Sequence, residues 1–205
     1  MWVHQIKTPI ASMHLILQKE DSEDSRRLRA ELFRVEQYVQ MVLCFLRLDS
    51  DFTDYVIKEY RVDDIIRPAV RRLAPQFIMK KLALEYEHTD EVALTDEKWL
   101  GFVVEQVLSN AVKYTSSGSI SIKCDGDRLV ISDTGIGIAA EDLPRIFDKG
   151  YTGFNGRADR KASGIGLYLC RRICDNLGHS IKAESAPGHG TTIIIGLERD
   201  KLEVE

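Results

Sequence analysis

Four short segments of this chain carry residue types that suit the binding of a nucleotide and the transfer of a phosphoryl group. Asp133 stands two residues before the first of two glycines, in Asp-Thr-Gly-Ile-Gly at 133–137, and a second glycine pair, Gly-Ile-Gly, occupies 164–166. Asn110 lies in Ser-Asn-Ala-Val-Lys-Tyr, and His4 lies in His-Gln-Ile-Lys-Thr-Pro. The first three segments offer a carboxylate, an amide and two flexible turns to a nucleotide. A neutral imidazole offers a nitrogen lone pair that can accept a phosphoryl group.

Asp133 ends a predicted strand, so its carboxylate borders the turn that follows. A buried carboxylate is a good acceptor for the exocyclic amine of adenine. Gly135 and Gly137 let the backbone approach a planar base closely. By itself, Asp-x-Gly-x-Gly fits a plain turn between two elements as well as it fits a nucleotide site.

Asn110 lies on a predicted helix, with Gln106 one turn before it and Lys113 and Tyr114 one turn after it. Residues three and four apart share a helix face, so amide and ammonium groups line one side. Such groups suit phosphate oxygens and a bound Mg²⁺, which makes Asn110 and Gln106 candidate metal ligands. Taken alone, the same pattern is more often the polar surface of a helix.

A second glycine pair precedes an apolar helical run. Gly164, Gly166 and Leu167 stand where such a helix would begin, and the free N–H groups at a helix N-terminus bind phosphate well. A plain helix start is the more common explanation of such a pair in isolation. The pair therefore indicates a nucleotide site only together with the other motifs.

The polar stretch from about 139 to 163 separates the two glycine pairs. A long polar loop inside a compact domain is commonly a functional lid or a disordered segment. Phe147 and Lys149 are the candidate nucleotide contacts of this stretch. Its basic residues can neutralise the negative charge of a triphosphate. Arg160 and Lys161 are interpreted as solvated surface charges.

A helical hairpin is predicted for the first region of the chain, residues 1–50, which contains His4. Its apolar residues recur at intervals of three and four, the heptad pattern of a helix bundle. These residues are Ile6, Ile10, Met13, Leu17, Leu28, Leu32, Val35, Val39, Val42 and Leu46. Two helices cannot cover such a seam, so we expect a homodimer that completes a four-helix bundle.

Strand-like and helical runs alternate in the second region, residues 51–205. Helices are predicted from an N-cap at Asp63 or Asp64 to about Lys81, from Asp96, and from Gly164 to Leu177. The predicted strands are 55–60, 82–86, 119–124, 128–132, 181–185 and 191–197. This order predicts an α/β sandwich with a mixed sheet and helices on one face, and the whole chain is therefore α+β.

The composition argues against several classes of function. The net charge is −4 with both signs interspersed, so no basic stripe indicates a nucleic-acid partner. No apolar run approaches the roughly 18 residues of a membrane span. The spacing of the four cysteines fits no common zinc pattern. Cys170 and Cys174, four apart on a predicted helix, are interpreted as small buried residues.

The order and spacing of these motifs together resemble the ATP-binding domain shared by histidine kinases, gyrase, the Hsp90 chaperone and MutL-type mismatch-repair ATPases. The matching residues are Asn110 (N box), Asp133, Gly135 and Gly137 (first glycine box), Phe147 (F box), Gly164 and Gly166 (second glycine box) and Thr191 in Gly-His-Gly-Thr-Thr (late turn). The resemblance covers about residues 55–198. It implies ATP and Mg²⁺ as cofactors, with the metal held by Asn110 and adenine read by Asp133. Many kinases have a second Asn where this chain has Gln106.

Residues 2–10, Trp-Val-His-Gln-Ile-Lys-Thr-Pro-Ile, resemble the H box of a sensor histidine kinase. The resemblance implies phosphorylation of His4 and transfer to an aspartate in the receiver domain of a response regulator. Gln5 occupies the position where the family often has an acidic base, so a base is either less needed here or lies elsewhere, with Glu105 as a weak candidate. Thr8 matches a position that orients water for dephosphorylation of the partner, which implies phosphatase activity.

The H-box sequence and the segment Lys-Gly-Tyr-Thr-Gly-Phe-Asn-Gly-Arg in the lid resemble those of short intramembrane-sensing kinases of Gram-positive bacteria. These kinases are of the bacitracin-response type. This resemblance implies the cytoplasmic domain of an integral protein of the bacterial cell membrane, with two membrane helices upstream and a peptide transporter as a partner. It also implies a first bundle helix that is shortened at its N-terminus, so we expect weakened dimerisation.

Two other functions remain open from the sequence. One is an ATPase switch of the gyrase or Hsp90 kind, which needs a catalytic Glu where this chain has Gln106 and would not explain the H box. The other is a nucleotide-binding dimerisation module without catalysis, which would bind ATP but acquire no phosphoryl group.

Overall fold

The computed structural model describes residues 2–19, 22–49, 55–153 and 163–198. The chain divides into two compact units, residues 1–53 and 54–205. Among the described residues, no helix is both long and apolar enough to cross a membrane.

The first unit contains two packed helices, α1 (Trp2–Leu17) and α2 (Glu23–Leu48). Helix α2 begins at the N-cap Ser22, whose Oγ accepts a hydrogen bond from the Ser25 N–H at 3.1 Å. Such a cap satisfies one of the N–H groups that have no partner within the helix. His14 Nε2 and Glu36 Oε1, 3.0 Å apart, link the two helices, so His14 has a structural role.

The apolar seam of this hairpin is only partly covered in the single chain. Ile10 and Leu32 are buried, in agreement with the predicted heptads. Other seam positions are largely exposed: Met13, Leu28, Val35, Val42 and Leu46. A continuous apolar surface of this kind is available for contact with another helix pair.

The second unit is built on a five-stranded mixed sheet in the order β2-β4-β5-β7-β6. Its strands are β2 (Ala83–Tyr86), β4 (Ser119–Asp125), β5 (Arg128–Asp133), β6 (Ser180–Ser185) and β7 (Thr191–Gly196). Strand β2 is parallel to β4, and the other neighbours are antiparallel. Alternate residues of the central strands are buried, because successive side chains of a strand point to opposite faces.

Three helices cover the buried face of the sheet: α3 (Val62–Lys80), α4 (Glu97–Tyr114) and α5 (Gly166–Leu177). Helix α4 packs against both α3 and α5 and reaches β5. The fully buried side chains come from both layers and include Leu73, Leu100, Leu108, Ile120, Ile131, Leu169 and Ile173. The predicted α/β sandwich with helices on one face is therefore confirmed. Cys170 and Cys174 are buried and unbridged, as expected.

A separate two-stranded ribbon was not predicted. Strand β1 (Lys58–Arg61) pairs antiparallel with β3 (Val92–Thr95). The predicted strand 55–60 therefore starts too early, and β3 escaped the sequence analysis because four residues carry little alternation. Thr95 Oγ1 lies 2.9 Å from Nε2 of the buried His179, which ties the ribbon to the start of β6.

Two predicted helix starts were wrong. Helix α3 has Arg61 as its N-cap, with no side-chain cap, while the carboxyl of Asp63 instead contacts Arg67, Tyr86 and His88. Tertiary partners outcompete the local cap because they neutralise a carboxyl that is buried. Helix α5 begins at Gly166 and not at Gly164, since Gly164 has φ of +66°, outside the helical region.

Candidate nucleotide-binding site

Asp133 is the last residue of β5, flanked by Ile120 of β4 and Thr191 of β7. Its Oδ1 accepts the N–H of Gly135 at 2.8 Å. Burial raises the pKa of the Asp133 carboxyl, while the N–H groups of Gly135 and Thr191 and the hydroxyl of Thr115 act to lower it. All three of these groups are neutral donors. The result is an oriented, half-buried hydrogen-bond acceptor, which suits an exocyclic amine.

The two glycines after Asp133 allow tight backbone packing. A Cβ on Gly135 would lie 2.6 Å from Tyr114 O, and one on Gly137, at φ of +70°, would lie 2.0 Å from Ala186 O. The Ile136 N–H donates to Tyr114 O at 3.2 Å, and Ile136 O accepts the Gly188 N–H at 2.8 Å. The glycine loop is therefore held between the end of α4 and the turn before β7. The structure shows these glycines close to other parts of the chain, and their contact with a base stays a prediction.

Ser185, at the end of β6, joins the glycine loop to the late turn. Its Oγ accepts the Ile138 N–H at 2.8 Å and donates to Gly190 O at 2.6 Å. Because that bond uses its only proton, the Thr191 hydroxyl, 3.1 Å away, must donate to Ser185. Ser185 was not predicted as a site residue, since one serine at a strand end belongs to no motif.

The candidate metal ligands lie on α4, whose C-terminal end contacts the glycine loop. Gln106 is buried, Asn110 and Tyr114 are half-buried, and Lys113 is exposed with Nζ 5.0 Å from the centre of the Tyr114 ring. Mg²⁺ commonly takes one or two protein oxygens and completes its shell with water and phosphate oxygens. The half-buried amide of Asn110 fits that use, while the buried Gln106 leaves its amide less open to a hydrated ion.

Within the described ranges, no three His, Cys, Asp or Glu side chains come together as a metal site. Glu105, the weak candidate for a base, is paired with Arg72, with 3.1 Å between Oε2 and Nη1. A carboxylate engaged by a guanidinium is a poor proton acceptor.

The second glycine turn contacts the end of the lid. The Gly150 N–H donates to Gly164 O at 2.9 Å, and a Cβ on Gly164 would lie 2.5 Å from the carbonyl carbon of Gly150. Helix α5 then starts at Gly166 without a side-chain cap. The N–H groups of Gly166 and Leu167 belong to its first turn, where no partner exists within the helix, so they can bind phosphate.

The described part of the lid carries Phe147 and Lys149. Phe147 is half-buried, with its ring centre 5.9 Å from the guanidinium carbon of Arg171 on α5, and Lys149 is exposed. The Tyr151 hydroxyl donates to Asp142, and the Arg145 guanidinium lies 4.3 Å from the Tyr151 ring centre. Arg160 and Lys161 lie outside the described residues.

The candidate acceptor lies in the other unit, on α1. Gln5 and Thr8 are exposed there, while the side chain of His4 lies outside the described part of the structure. The structure thus brings Asp133, Gly135, Thr191 and the end of α4 together, while Gly137 lies against Ala186 before the late turn. It does not test the roles assigned to His4, Gln5 and Thr8.

A protein-family model described as histidine kinase-, DNA gyrase B- and HSP90-like ATPase matches residues 95–201. That range contains both glycine pairs, Asn110 and the late turn, and it covers more than half of the chain. This chain belongs to the histidine kinase-, gyrase B- and HSP90-like ATPase family. The family resemblance inferred from the sequence motifs is confirmed.

Relatives of this ATPase-family chain include named sensor kinases. It is 35% identical over 199 residues to the sensor histidine kinase YxdK of Bacillus subtilis, covering 94% of this chain and 61% of that protein. It is also 35% identical over 206 residues to the sensor protein BceS of Halalkalibacterium halodurans, covering 97% of this chain and 61% of that one. The chain thus spans about three fifths of the length of these relatives.

Solved structures show the same fold. The chain aligns with the crystal structure of full-length ShkA in complex with AMPPNP at a TM-score of 0.67 and 21% identity, covering 98% of this chain and 46% of that one. The chain therefore shares the fold of that structure.

Proposed function

We propose that this chain is the transmitter part of a two-component sensor histidine kinase. Its second unit binds ATP with Mg²⁺, His4 takes the γ-phosphoryl group, and an aspartate of a response-regulator receiver domain receives it next. The observation that carries the proposal is the Asp133 carboxylate, oriented by Gly135 N–H and placed against Thr191 in a family-matched ATPase fold. The named sensor kinases at 35% identity support the phosphorylation of His4 and the transfer to a response regulator.

The residues divide the work of holding ATP. Asp133 accepts the exocyclic amine of adenine, and the first turn of α5, at Gly166 and Leu167, donates N–H groups to phosphate oxygens. Asn110, with Gln106 behind it on α4, supplies amide oxygen to the metal. When bound, Mg²⁺ neutralises charge on the β- and γ-phosphate oxygens.

Further contacts close the site in this proposal. Lys113 and Lys149 neutralise the remaining negative charge of the triphosphate. Tyr114 and Phe147 line the nucleotide site. Gly150, in the described part of the lid, donates its N–H to Gly164 O, so the position of this part of the lid depends on the turn that precedes the phosphate-binding start of α5.

Phosphoryl transfer then requires a nitrogen lone pair in line with the γ-phosphate. A ring nitrogen of His4 attacks the γ-phosphorus, the bond from that phosphorus to the bridging oxygen breaks, and ADP leaves with the electron pair. The proton on the other ring nitrogen then passes to water. A neutral imidazole already has the required lone pair, so the attack needs no base, and the amide of Gln5 has no basic group. Thr8 orients water for dephosphorylation of the regulator.

We also propose the setting of the whole protein. The exposed apolar seam of α1 and α2 pairs with a second copy to give a homodimeric four-helix bundle. The described chain is the cytoplasmic domain of an integral protein of the bacterial cell membrane, and a peptide transporter is a partner of its membrane part.

The deciding experiment is incubation with γ-labelled ATP and Mg²⁺. We expect label on the protein that is stable to base and labile to acid, as a phosphoramidate is, and that disappears in His4→Gln. Free phosphate without labelled protein would instead favour an ATPase switch. ATP binding with neither product would favour a non-catalytic module.

Phosphatase activity is tested by Thr8→Ala, with Ser12→Ala, another exposed hydroxyl of α1, as the matched control. We expect Thr8→Ala to slow dephosphorylation of the regulator while autophosphorylation continues. An unchanged phosphatase rate would remove the role assigned to Thr8.

A further inference from the structure

Thr115 places a buried hydroxyl beside the adenine-binding carboxylate. The residue is the C-cap of α4 and is completely buried. Its Oγ1 makes no hydrogen bond of full geometry in the described part of the chain. Burying a hydroxyl without a partner is unfavourable, and valine has almost the same shape without that penalty. The presence of a hydroxyl at this position therefore indicates that it has a hydrogen-bond partner in the nucleotide-bound state.

The nearby acceptor is the Asp133 carboxyl. The Thr115 hydroxyl lies close enough to lower the pKa of Asp133, together with the N–H groups of Gly135 and Thr191. Gly135 N–H is already bonded to Oδ1. An ionised carboxylate only accepts hydrogen bonds, and a hydroxyl can always donate one, so the two groups are matched.

The backbone of Thr115 is held from both sides. Its N–H donates to Ala111 O at 3.1 Å, and its carbonyl oxygen lies 3.0 Å from Nζ of Lys80. The same ammonium donates to the carbonyl oxygens of Val112 at 2.5 Å and Lys113 at 3.1 Å. Lys80 of α3 thus satisfies carbonyls that the end of α4 leaves without a helical partner. With its backbone held, Thr115 has only rotation about χ1 with which to place its hydroxyl.

We propose that Thr115 is a positioning residue of the nucleotide site, whose hydroxyl donates to Asp133 when ATP is bound and turns the carboxylate toward the exocyclic amine of adenine. This inference rests on the proposed ATP site and adds a determinant of base specificity to it. An ionised, oriented carboxylate attracts the amine of adenine and repels the carbonyl oxygen that guanine has at the same place. Thr115 therefore acts through Asp133, without contacting the base.

The test compares Thr115→Val, which removes only the hydroxyl, with Thr115→Ser, which restores it. Binding is measured by calorimetry with ATP and with purine riboside 5′-triphosphate, which lacks the exocyclic amine. We expect Thr115→Val to weaken ATP binding about threefold to tenfold, the range for one hydrogen bond, and to leave binding of the purine nucleotide unchanged. Thr115→Ser should bind both nucleotides as the parent chain does.

The pH profile of ATP binding gives a second readout. The amine needs an ionised acceptor, so ATP affinity falls as the pH falls through the pKa of Asp133. The groups that act on this carboxyl, Gly135, Thr191 and Thr115, are all neutral. Removal of the Thr115 donor raises that pKa further, so the midpoint of the profile should move to higher pH in Thr115→Val and return in Thr115→Ser.

Thermal unfolding separates positioning from a structural role. In the empty site the hydroxyl makes no hydrogen bond of full geometry, so its removal should leave the Tm of the nucleotide-free protein close to that of the parent chain. Ser116→Ala, at the exposed neighbouring hydroxyl, serves as the control and should change none of these quantities.

Two results would overturn the inference. One is Thr115→Val with parental ATP affinity and an unshifted pH midpoint. The other is equal weakening of both nucleotides together with a lower Tm, which is the result of structural damage. If the parent chain itself binds no ATP, the proposed function fails and this inference fails with it, a result distinct from the first two.

Discussion

At Asp133, burial and hydrogen bonding act on the same carboxyl in opposite directions. Burial raises its pKa above the ordinary value, and the surrounding donors recover only part of that shift. A group with a raised pKa in the folded state contributes stability below its unfolded pKa, and that contribution is lost as the pH rises through the folded value. At neutral pH the ionised Asp133 therefore destabilises the empty site, and this is the state in which it best accepts an amine.

Asp133→Asn should separate binding from stability. The amide oxygen can still accept the Gly135 N–H, but the charge is lost and an N–H₂ group faces the amine of adenine. We expect ATP affinity to fall at least about tenfold, as for a hydrogen bond to a charged group, while the Tm of the empty protein stays unchanged or rises at neutral pH. Calorimetry and thermal unfolding measure the two effects. Asp127→Asn, at an exposed turn, is the control, and parental ATP affinity in Asp133→Asn would contradict the assignment.

Gly190 and Gly126 form a matched pair of glycines for testing backbone contact. Both have positive φ, +76° and +60°, but a Cβ on Gly190 would lie 1.8 Å from Asp133 O, whereas nothing lies within 4 Å of one on Gly126. Gly126→Ala should cost about 1 kcal/mol, the penalty of the left-handed backbone. Gly190→Ala adds a backbone clash and should cost about 3 kcal/mol or more in urea unfolding. Equal costs would contradict the close approach of the late turn to Asp133.

At the scale of elements, Asp63 anchors the start of α3 to the end of β2. Its side chain is 3% exposed, and it contacts Arg67 at 2.7 Å, His88 Nδ1 at 3.3 Å and the Tyr86 hydroxyl. Burial would raise the pKa of Asp63, but hydrogen bonds from Tyr86 and His88 and the charge of Arg67 bring it below its ordinary value of 3.8. Stability from such a group is complete above the unfolded pKa and is lost as the pH falls through the folded pKa.

Asp63→Asn should therefore destabilise the second unit by about 2 kcal/mol at neutral pH, because it removes the buried charge that Arg67, Tyr86 and His88 meet. The difference from the parent chain should shrink as the pH falls below 3.8, where the Asp63 contribution itself is lost. Asp64→Asn, at the exposed neighbour, is the control. Urea unfolding at several pH values measures both, and a pH-independent difference would show that the charge is not responsible.

At the scale of the whole molecule, the apolar seam of the helical hairpin is left partly exposed in the single chain. Val42 and Leu46 are 56% and 60% exposed in the single chain, although they continue the heptads that bury Leu32. Apolar residues of a bundle seam are stabilised when a partner removes them from water. The second unit contains the proposed ATP site, so assembly and nucleotide binding can be measured separately.

Val42→Glu should shift a concentration-dependent dimer to monomer in sedimentation velocity, because it puts a charge into the seam. ATP affinity should stay unchanged. Arg34→Glu places the same side chain on α2 at an exposed position outside the heptads and should leave the dimer intact, apart from the loss of its exposed pair with Glu31. If Val42→Glu sediments like the parent chain, the seam is not the dimer interface.

The sequence by itself predicted most of the helices and strands and the motifs that make up the candidate site. Apolar spacing of three and four marked α1, α2 and the helices of the second unit, and alternation marked most strands, because both patterns arise within a few neighbouring residues. The two glycine pairs, Asp133 and Asn110 were recognisable because their order along the chain is specific.

Only the tertiary structure decided how these residues are held. The pairing of β1 with β3, the burial of Asp63, the bridge made by Ser185 and the capping of α4 by Lys80 all join residues far apart in the chain. No local pattern encodes such contacts, because they depend on the path of the folded backbone. A carboxyl that could cap its own helix instead meets an arginine and a tyrosine, since burial makes those partners the more favourable choice.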